Sequence, residues 1–197
     1  MLVSVGNSVM KIKHLIVGML ETNCYLLISN NEFGIIDPGD EAEKILEEIR
    51  KIKAEPKYII NTHYHSDHIS ANEKIKEETG AQILIHEAEK DFINFEADKF
   101  LKDGDKIRIG ESVLKVLHTP GHTKGSICLL GEKFIFTGDT LFKDGYGRTD
   151  LSGCSQKDLK ESLKRLSKLL KPGMRVYPGH GEIFKLKNQK KVGKVNN

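Results

Sequence analysis

In the stretch YIINTHYHSDHIS (58–70), His63, His65, Asp67 and His68 fall within six consecutive positions, directly after an apolar run. The chain has only eight histidines in 197 residues, so this clustering needs a cause. A strand places residues i and i+2 on one side, so His63 and His65 point the same way at its end. A helical turn starting next brings His68, three residues after His65, back to that side. Asp67 adds a carboxylate oxygen. Neutral imidazole and carboxylate are the donors of zinc, iron and manganese sites. The bland alternative, a polar turn with exposed histidines, fits this density poorly.

The surrounding pattern is that of a mixed α/β chain. Strands are expected at 11–17, 24–28 and from 33 into the IIDPG turn (35–39), then at 57–60 and 81–87. Further strands are expected at 106–109, 112–117, 126–130, 133–137 and 174–177. Helices are expected at 40–53, with Pro56 closing the segment, at 70–79 with Gly80 as its C-terminal stop, and at 155–170 with Ser155 as N-cap. On the last helix Leu159, Leu163, Leu166 and Leu170 share one face, which reads as core packing. Residues 88–104 read as a connector and 139–154 as a glycine-rich loop. The whole of 1–197 reads as one domain, with 1–10 and 185–197 peripheral and the basic run KLKNQKKVGK (185–194) a solvated tail.

Three more turns at strand ends each present one good ligand. His122 lies in LHTPGHTKGS (117–126), Asp139 in FIFTGDTLF (134–142) and His180 in VYPGHGE (176–182). Each alone is weak, because a lone His or Asp in a glycine turn is mostly turn chemistry. Together they match the way active-site loops gather on one edge of a scaffold.

The ordered set THYHSDH, TPGHT, GDT and PGHG resembles the metallo-β-lactamase-fold hydrolases. ETNCYLL, IIDPG and LFKDGYGRTDL resemble their glyoxalase II-like (hydroxyacylglutathione hydrolase-like) branch. The resemblance implies a four-layer αββα sandwich with a dinuclear metal site at one edge of the two sheets. It implies that His63, His65 and His122 hold one ion, that Asp67, His68 and His180 hold the other, and that Asp139 bridges both. Asp37 resembles a family position that supports the ligand loop from behind. The expected cofactors are two divalent ions, zinc first, with iron or manganese as alternatives.

Two cations close together polarise a carbonyl and bring the pKa of a bound water from about 15.7 to about 7. Asp67 and Asp139 are therefore the expected catalytic carboxylates, Asp67 orienting the nucleophile as well as binding metal. The expected reaction is hydrolysis of the thioester, or a related ester, of a small acyl-thiol such as S-lactoylglutathione. A leaving thiolate has a pKa near about 8.5 and needs little help from an acid. Lys143, Tyr146 and Arg148, with Lys124, lie in the site loops as candidates for substrate contact; a guanidinium grips a carboxylate bidentately. The chain departs from full-length glyoxalase II enzymes in GYGRTD and in the 13 residues that follow Phe184, with no separate C-terminal substrate domain expected. The metal chemistry carries over; glutathione recognition does not. A mononuclear-iron persulfide dioxygenase of the same fold and a lactonase are the alternatives, and a non-catalytic metal-binding scaffold is a third class.

Composition narrows the field. A net charge of +3 is too small to argue for nucleic acid, and no run of apolar residues suggests a membrane span. MLVSVGNSVM lacks the basic start of a secretory signal. Cys24, Cys128 and Cys154 form no metal or disulfide pattern, which suits a cytoplasmic protein. His14, His86 and His118 read as structural or exposed histidines, and Cys154 as an unreactive free thiol.

Overall fold

Strands buried on both faces read as continuous apolar runs rather than as alternating ones, and the pairs Leu26/Leu27, Ile35/Ile36 and Ile59/Ile60 are of this kind, each fully buried. In the computed structural model, which describes residues 2–5 and 8–188, these pairs lie in the first of two mixed sheets. It comprises β1 (Leu2–Val5), β2 (Ser8–Val17), β3 (Thr22–Ser29), β4 (Glu32–Ile36), β5 (Glu55–Ile60), β6 (Gln82–His86) and β7 (Lys99–Leu101), in that spatial order. Neighbours from β1 to β4 pair antiparallel, and those from β4 to β7 parallel. The second sheet comprises β8 (Lys106–Ile109), β9 (Ser112–His118), β10 (Ile127–Leu130), β11 (Phe134–Gly138), β12 (Arg175–Pro178) and β13 (Phe184–Lys185), antiparallel except for the β11–β12 pair.

The two sheets face each other through Leu27, Ile36, Ile60 and Leu84 on one side and Leu114, Val116, Leu129, Phe136 and Tyr177 on the other. The outer face of the first sheet, with Leu26, Ile35, Ile59 and Ile83, is covered by α1 (Ala42–Ile49) and α3 (Asn72–Thr79) through Ile45, Leu46 and Ile75. The outer face of the second, with Leu117, Cys128, Ile135 and Val176, is covered by α4 (Gln156–Leu169) through Leu159, Leu163 and Leu166. A short α2 (Ser66–Ile69) carries the ligand cluster. The layers are therefore αββα, as expected.

Several expected boundaries shift. The helix expected at 40–53 is only α1, and Pro56 lies inside β5, not at a helix end. The parallel register pairs Ile35 with Ile59 and Ile36 with Ile60, so β5 must begin near Glu55, whose amide donates to Asn31 O. Pro56 faces Phe33 beside a register shift, where the ladder is already interrupted. The helix expected at 70–79 starts only at Asn72, because the Ala71 amide donates to Pro38 O at 3.1 Å. Its stop at Gly80, with φ 70°, is as expected. The connector 88–104 begins within a 3-10 turn, Glu87–Glu89, and contains the edge strand β7 near its end. The segment 1–10 supplies the edge strand β1 and the start of β2, with Met10 buried. Within 185–197, Leu186 is buried through paired bonds with Gly173 and Met174; from 189 onward the expected tail lies outside the described residues. No helix among the described residues is long and apolar enough to cross a membrane.

Ser155 accepts from the Asp158 amide and caps α4 as expected. Leu163→Ala is expected to cost about 2–5 kcal/mol through a buried cavity, read from the urea midpoint of metal-stripped protein. Leu169→Ala on the same helix, 40% exposed, is expected to change stability by no more than about 0.5 kcal/mol.

Candidate metal centre

Parallel strands end together, so β4 and β5 in one sheet and β11 and β12 in the other bring their C-terminal ends to one edge of the sandwich. Asp37 follows β4, His63 follows β5, Asp139 follows β11 and His180 follows β12; His122 comes from the turn after β9. His65 caps α2, and one turn of that helix brings Asp67 and His68 back toward His63.

The side chains converge on two neighbouring points. His65 Nδ1 lies 3.1 Å from His63 Nε2 and 2.9 Å from His122 Nε2. His68 Nε2 lies 3.2 Å from His180 Nε2, and Asp67 Oδ2 lies 3.4 Å from the former and 3.2 Å from the latter. Asp139 stands between the groups, with Oδ1 3.6 Å from His68 Nε2 and Oδ2 3.5 Å from His122 Nε2 and 3.6 Å from His180 Nε2. Within each of the triads His63/His65/His122, His63/His68/Asp139 and Asp67/His68/His180, the donor atoms lie within 4.8 Å of one another.

The hydrogen bonds behind the rings decide which nitrogens carry protons. His122 Nδ1 donates to Arg148 O and His180 Nδ1 to Leu20 O, both at 2.9 Å, so each Nε2 presents a lone pair. Thr62 Oγ1 donates to Asp37 Oδ2 at 2.7 Å; it must therefore accept from His63 Nδ1, 3.1 Å away. His68 Nδ1 lies 3.0 Å from Asp37 Oδ2, an acceptor, which leaves Nε2 facing inward, where an ion would have to take the place of its proton. Ring nitrogens thus crowd one another and the carboxylate oxygens at 2.9–3.6 Å, and Asp139 Oδ1 is buried with no hydrogen-bond donor. Positive charge balances such an arrangement, supplied by ring protons or by metal ions. The donor set fits two divalent ions of the imidazole- and carboxylate-binding kind.

Ionisation follows the same logic. Burial, and then the neighbouring imidazoles, push His63 well below the ordinary histidine range and His65 down to about 4, so both rings are neutral. Burial opposes charge on His68, but Asp37 and Asp139 outweigh it and raise its pKa to about 9. His180 is raised too, burial being overcome by Asp67 and Asp139. Burial pushes the Asp67 carboxyl up, yet His180, His68 and the Thr22 hydroxyl hold it below the usual carboxylate range.

Backbone lies hard against these groups at glycines. A Cβ on Gly179 would stand 2.2 Å from Asp139 Oδ1, and one on Gly147 would stand 2.8 Å from His122 Nδ1. Beside His180 a cleft of about 480 Å³ is lined by Phe142, Lys143, Tyr146 and Glu182. A neighbouring hollow of about 370 Å³ shares Phe142, Lys143 and Glu182.

The chain matches a sequence profile, described as the Metallo-beta-lactamase superfamily, over residues 17–180. It belongs to that superfamily. It is 34% identical over 161 residues to PksB of Bacillus subtilis (strain 168), described as a probable polyketide biosynthesis zinc-dependent hydrolase, covering 80% of this chain and 72% of that protein. Among solved structures, TTHA1623 in a di-iron-bound form is 30% identical with a TM-score of 0.82, covering 92% of this chain and 98% of that one. ETHE1 from Myxococcus xanthus is 29% identical with a TM-score of 0.82, covering 94% and 84%. The zinc-dependent and di-iron descriptions of these relatives leave open which metal suits the donor set of this chain.

The other expected residues fare unevenly. Asp37 receives the Thr62 amide and hydroxyl, each at 2.7 Å, and so braces the strand end that carries His63. Lys143 and Tyr146 line the cleft, although Lys143 Nζ is engaged by Glu182. The Arg148 guanidinium is held bidentately by Asp150, at 2.7 Å on both arms; what reaches the centre is its carbonyl, on His122. Lys124 lies over the Phe92 ring at 5.5 Å. His118 Nε2 donates to Lys124 O and so steadies the His122 loop, while His86 stacks on it at 4.1 Å. Thr22, Asn23 and Tyr25 were not anticipated. Thr22 Oγ1 donates to Asp67 Oδ2 at 3.1 Å; Asn23 Nδ2 donates to Pro178 O and Gly181 O, and the Tyr25 hydroxyl to Pro178 O. Their signal was the phrase ETNCYLL, whose residue types carry no metal chemistry of their own.

Asp139→Ala is expected to lower metal affinity by at least about 100-fold, beyond the loss of an outlying partner, with fewer than two ions per chain by elemental analysis. Gly179→Ala is expected to do the same while leaving every ligand in place. A third expectation concerns pH. Metal-free His68 keeps its proton up to about pH 9, and an ion at Nε2 must displace it. Apparent affinity should therefore rise at least about tenfold per unit on going from pH 6 to 8; a flat competition titration would contradict the assignment.

Proposed function

We propose that this chain is a dinuclear metal-dependent hydrolase of the glyoxalase II-like kind, cleaving the thioester of a small acyl-thiol. The observation that carries the reading is the pair of donor sets flanking Asp139, one of which reaches a cleft through His180. His63, His65 and His122 would hold one ion, Asp67, His68 and His180 the other, and Asp139 both. Bound there, the ions would supply a Lewis acid for the substrate carbonyl and a water ionised near neutral pH.

The protein's own groups do the remainder. Asp67, low in pKa and fixed by Thr22, stays a carboxylate and orients the attacking water rather than storing its proton. The Nδ1 protons of His122 and His180, committed to backbone carbonyls, keep both rings from rotating during turnover. Phe142 and Tyr146 offer an apolar wall for an acyl or carrier chain, and Lys143 a cation for an anionic end. A thiolate leaves unaided near neutral pH, whereas an amine needs a proton; this favours a thioester over an amide. Arg148 serves the site through its carbonyl on His122; Lys143 lines the cleft, and an anionic substrate end would have to displace Glu182 from it.

The deciding experiment is turnover of a thioester panel, S-lactoylglutathione and short acyl-coenzyme A esters included, by protein of measured metal content. A kcat/KM above about 10⁴ M⁻¹ s⁻¹ with two ions per chain supports the reading. One iron per chain, with oxygen consumed on glutathione persulfide and no thioester cleaved, would replace it with the dioxygenase. Lys143→Ala is expected to raise KM about three- to tenfold for anionic thioesters and less for neutral ones, with kcat unchanged.

A further inference from the structure

His63 and His65 come from the first sheet, whereas His122 comes from a turn of the second, so their cluster depends on a tie between sheets. The Ile127 amide, donating to Thr62 O at 2.9 Å, joins the sheets beside His63, and one buried side chain makes the tie to the His122 turn itself. Glu89 closes the 3-10 turn after β6, in the first sheet's half of the molecule, and is 0% exposed. Its Oε1 accepts from Thr123 Oγ1 at 2.5 Å and from the Gly125 amide at 2.7 Å, both in the turn that carries His122. Ser126 Oγ completes the knot, accepting from the Thr123 amide at 3.0 Å and lying 2.7 Å from Thr123 Oγ1.

Glycine 125 is an independent mark of the same contact. A Cβ there would stand 2.5 Å from Glu89 Cγ and 2.7 Å from Oε1. Burying a carboxyl is costly, and Glu89 Oε2 has no hydrogen-bond partner. An apolar residue of similar size would fill the space more cheaply, but it would leave the Thr123 hydroxyl and the Gly125 amide without an acceptor.

We propose that Glu89 is a positioning residue for the three-histidine cluster, tying the His122 turn to the half of the fold that carries His63 and His65. It sets the metal affinity of that cluster and not of Asp67, His68 and His180. The inference rests on the two-ion reading above. Oε1 accepts both bonds whether or not the carboxyl is ionised, so glutamine serves in its place; burial in fact raises the carboxyl's pKa against the pull of Thr123 and Gly125.

The test is stepwise cobalt(II) titration of metal-stripped wild type, Glu89→Gln, Glu89→Ala and Gly125→Ala, followed by visible absorbance. His122→Ala and His180→Ala mark which step belongs to which cluster. Glu89→Ala and Gly125→Ala should weaken the step lost in His122→Ala by about 10–100-fold. The step lost in His180→Ala should stay within about threefold of wild type, as should both steps in Glu89→Gln. Should Glu89→Ala fail to fold, Gly125→Ala and Glu89→Gln decide the matter. Equal weakening of both steps, no weakening, or failure of glutamine to restore affinity would overturn the proposal. A wild type that binds fewer than two ions would instead bring down the two-ion reading, a distinguishable result.

Discussion

Crowding of polar donor atoms is the constraint on which this structure turns. Ring nitrogens of His68, His122 and His180 and the carboxylates of Asp67 and Asp139 confront one another at distances between 3.2 and 3.6 Å. Without positive charge, from protons or from ions, that arrangement is unfavourable. It persists because each ring is anchored from behind by a carbonyl, a carboxylate or a hydroxyl, and because those anchors belong to a packed interior. The imidazoles do not choose their positions; the anchors do.

The anchors are supplied by the layering. A core shared by two sheets holds the ends of β5, β9, β11 and β12 at one edge, and outer helices keep each sheet from sliding. Asp37 illustrates the coupling. It is buried, sits at φ 51° just past β4, and bonds to Thr62 at the end of the neighbouring strand β5. One carboxylate thus fixes His63 through Thr62 and faces His68 directly. Function and fold share these bonds, so damage behind the centre reaches the centre.

Much of this was legible in advance where it depended on short spacing. The histidine cluster is local: strand alternation and one helical turn bring four groups together. The α4 face and its Ser155 cap are local too. Misreadings came where a partner strand decided or where an element was too short to show a pattern. Pro56 read as a helix stop and proved to lie in a strand, since the register of β5 against β4 outweighs the local signal. Three-residue β7 and two-residue β13 have too few positions to show a period.

The sequence by itself determined the donor types, their order along the chain and the apolar runs that must be buried, because each is a property of neighbouring residues. Tertiary structure alone decided which atoms of those donors are available. Tautomers set by Leu20 and Arg148 carbonyls, Thr22 on Asp67, Asn23 across to Gly181 and Glu89 beneath the His122 turn all join residues far apart in the chain. A hydrogen bond between distant positions depends on how whole sheets pack, and no local pattern of residue types records that.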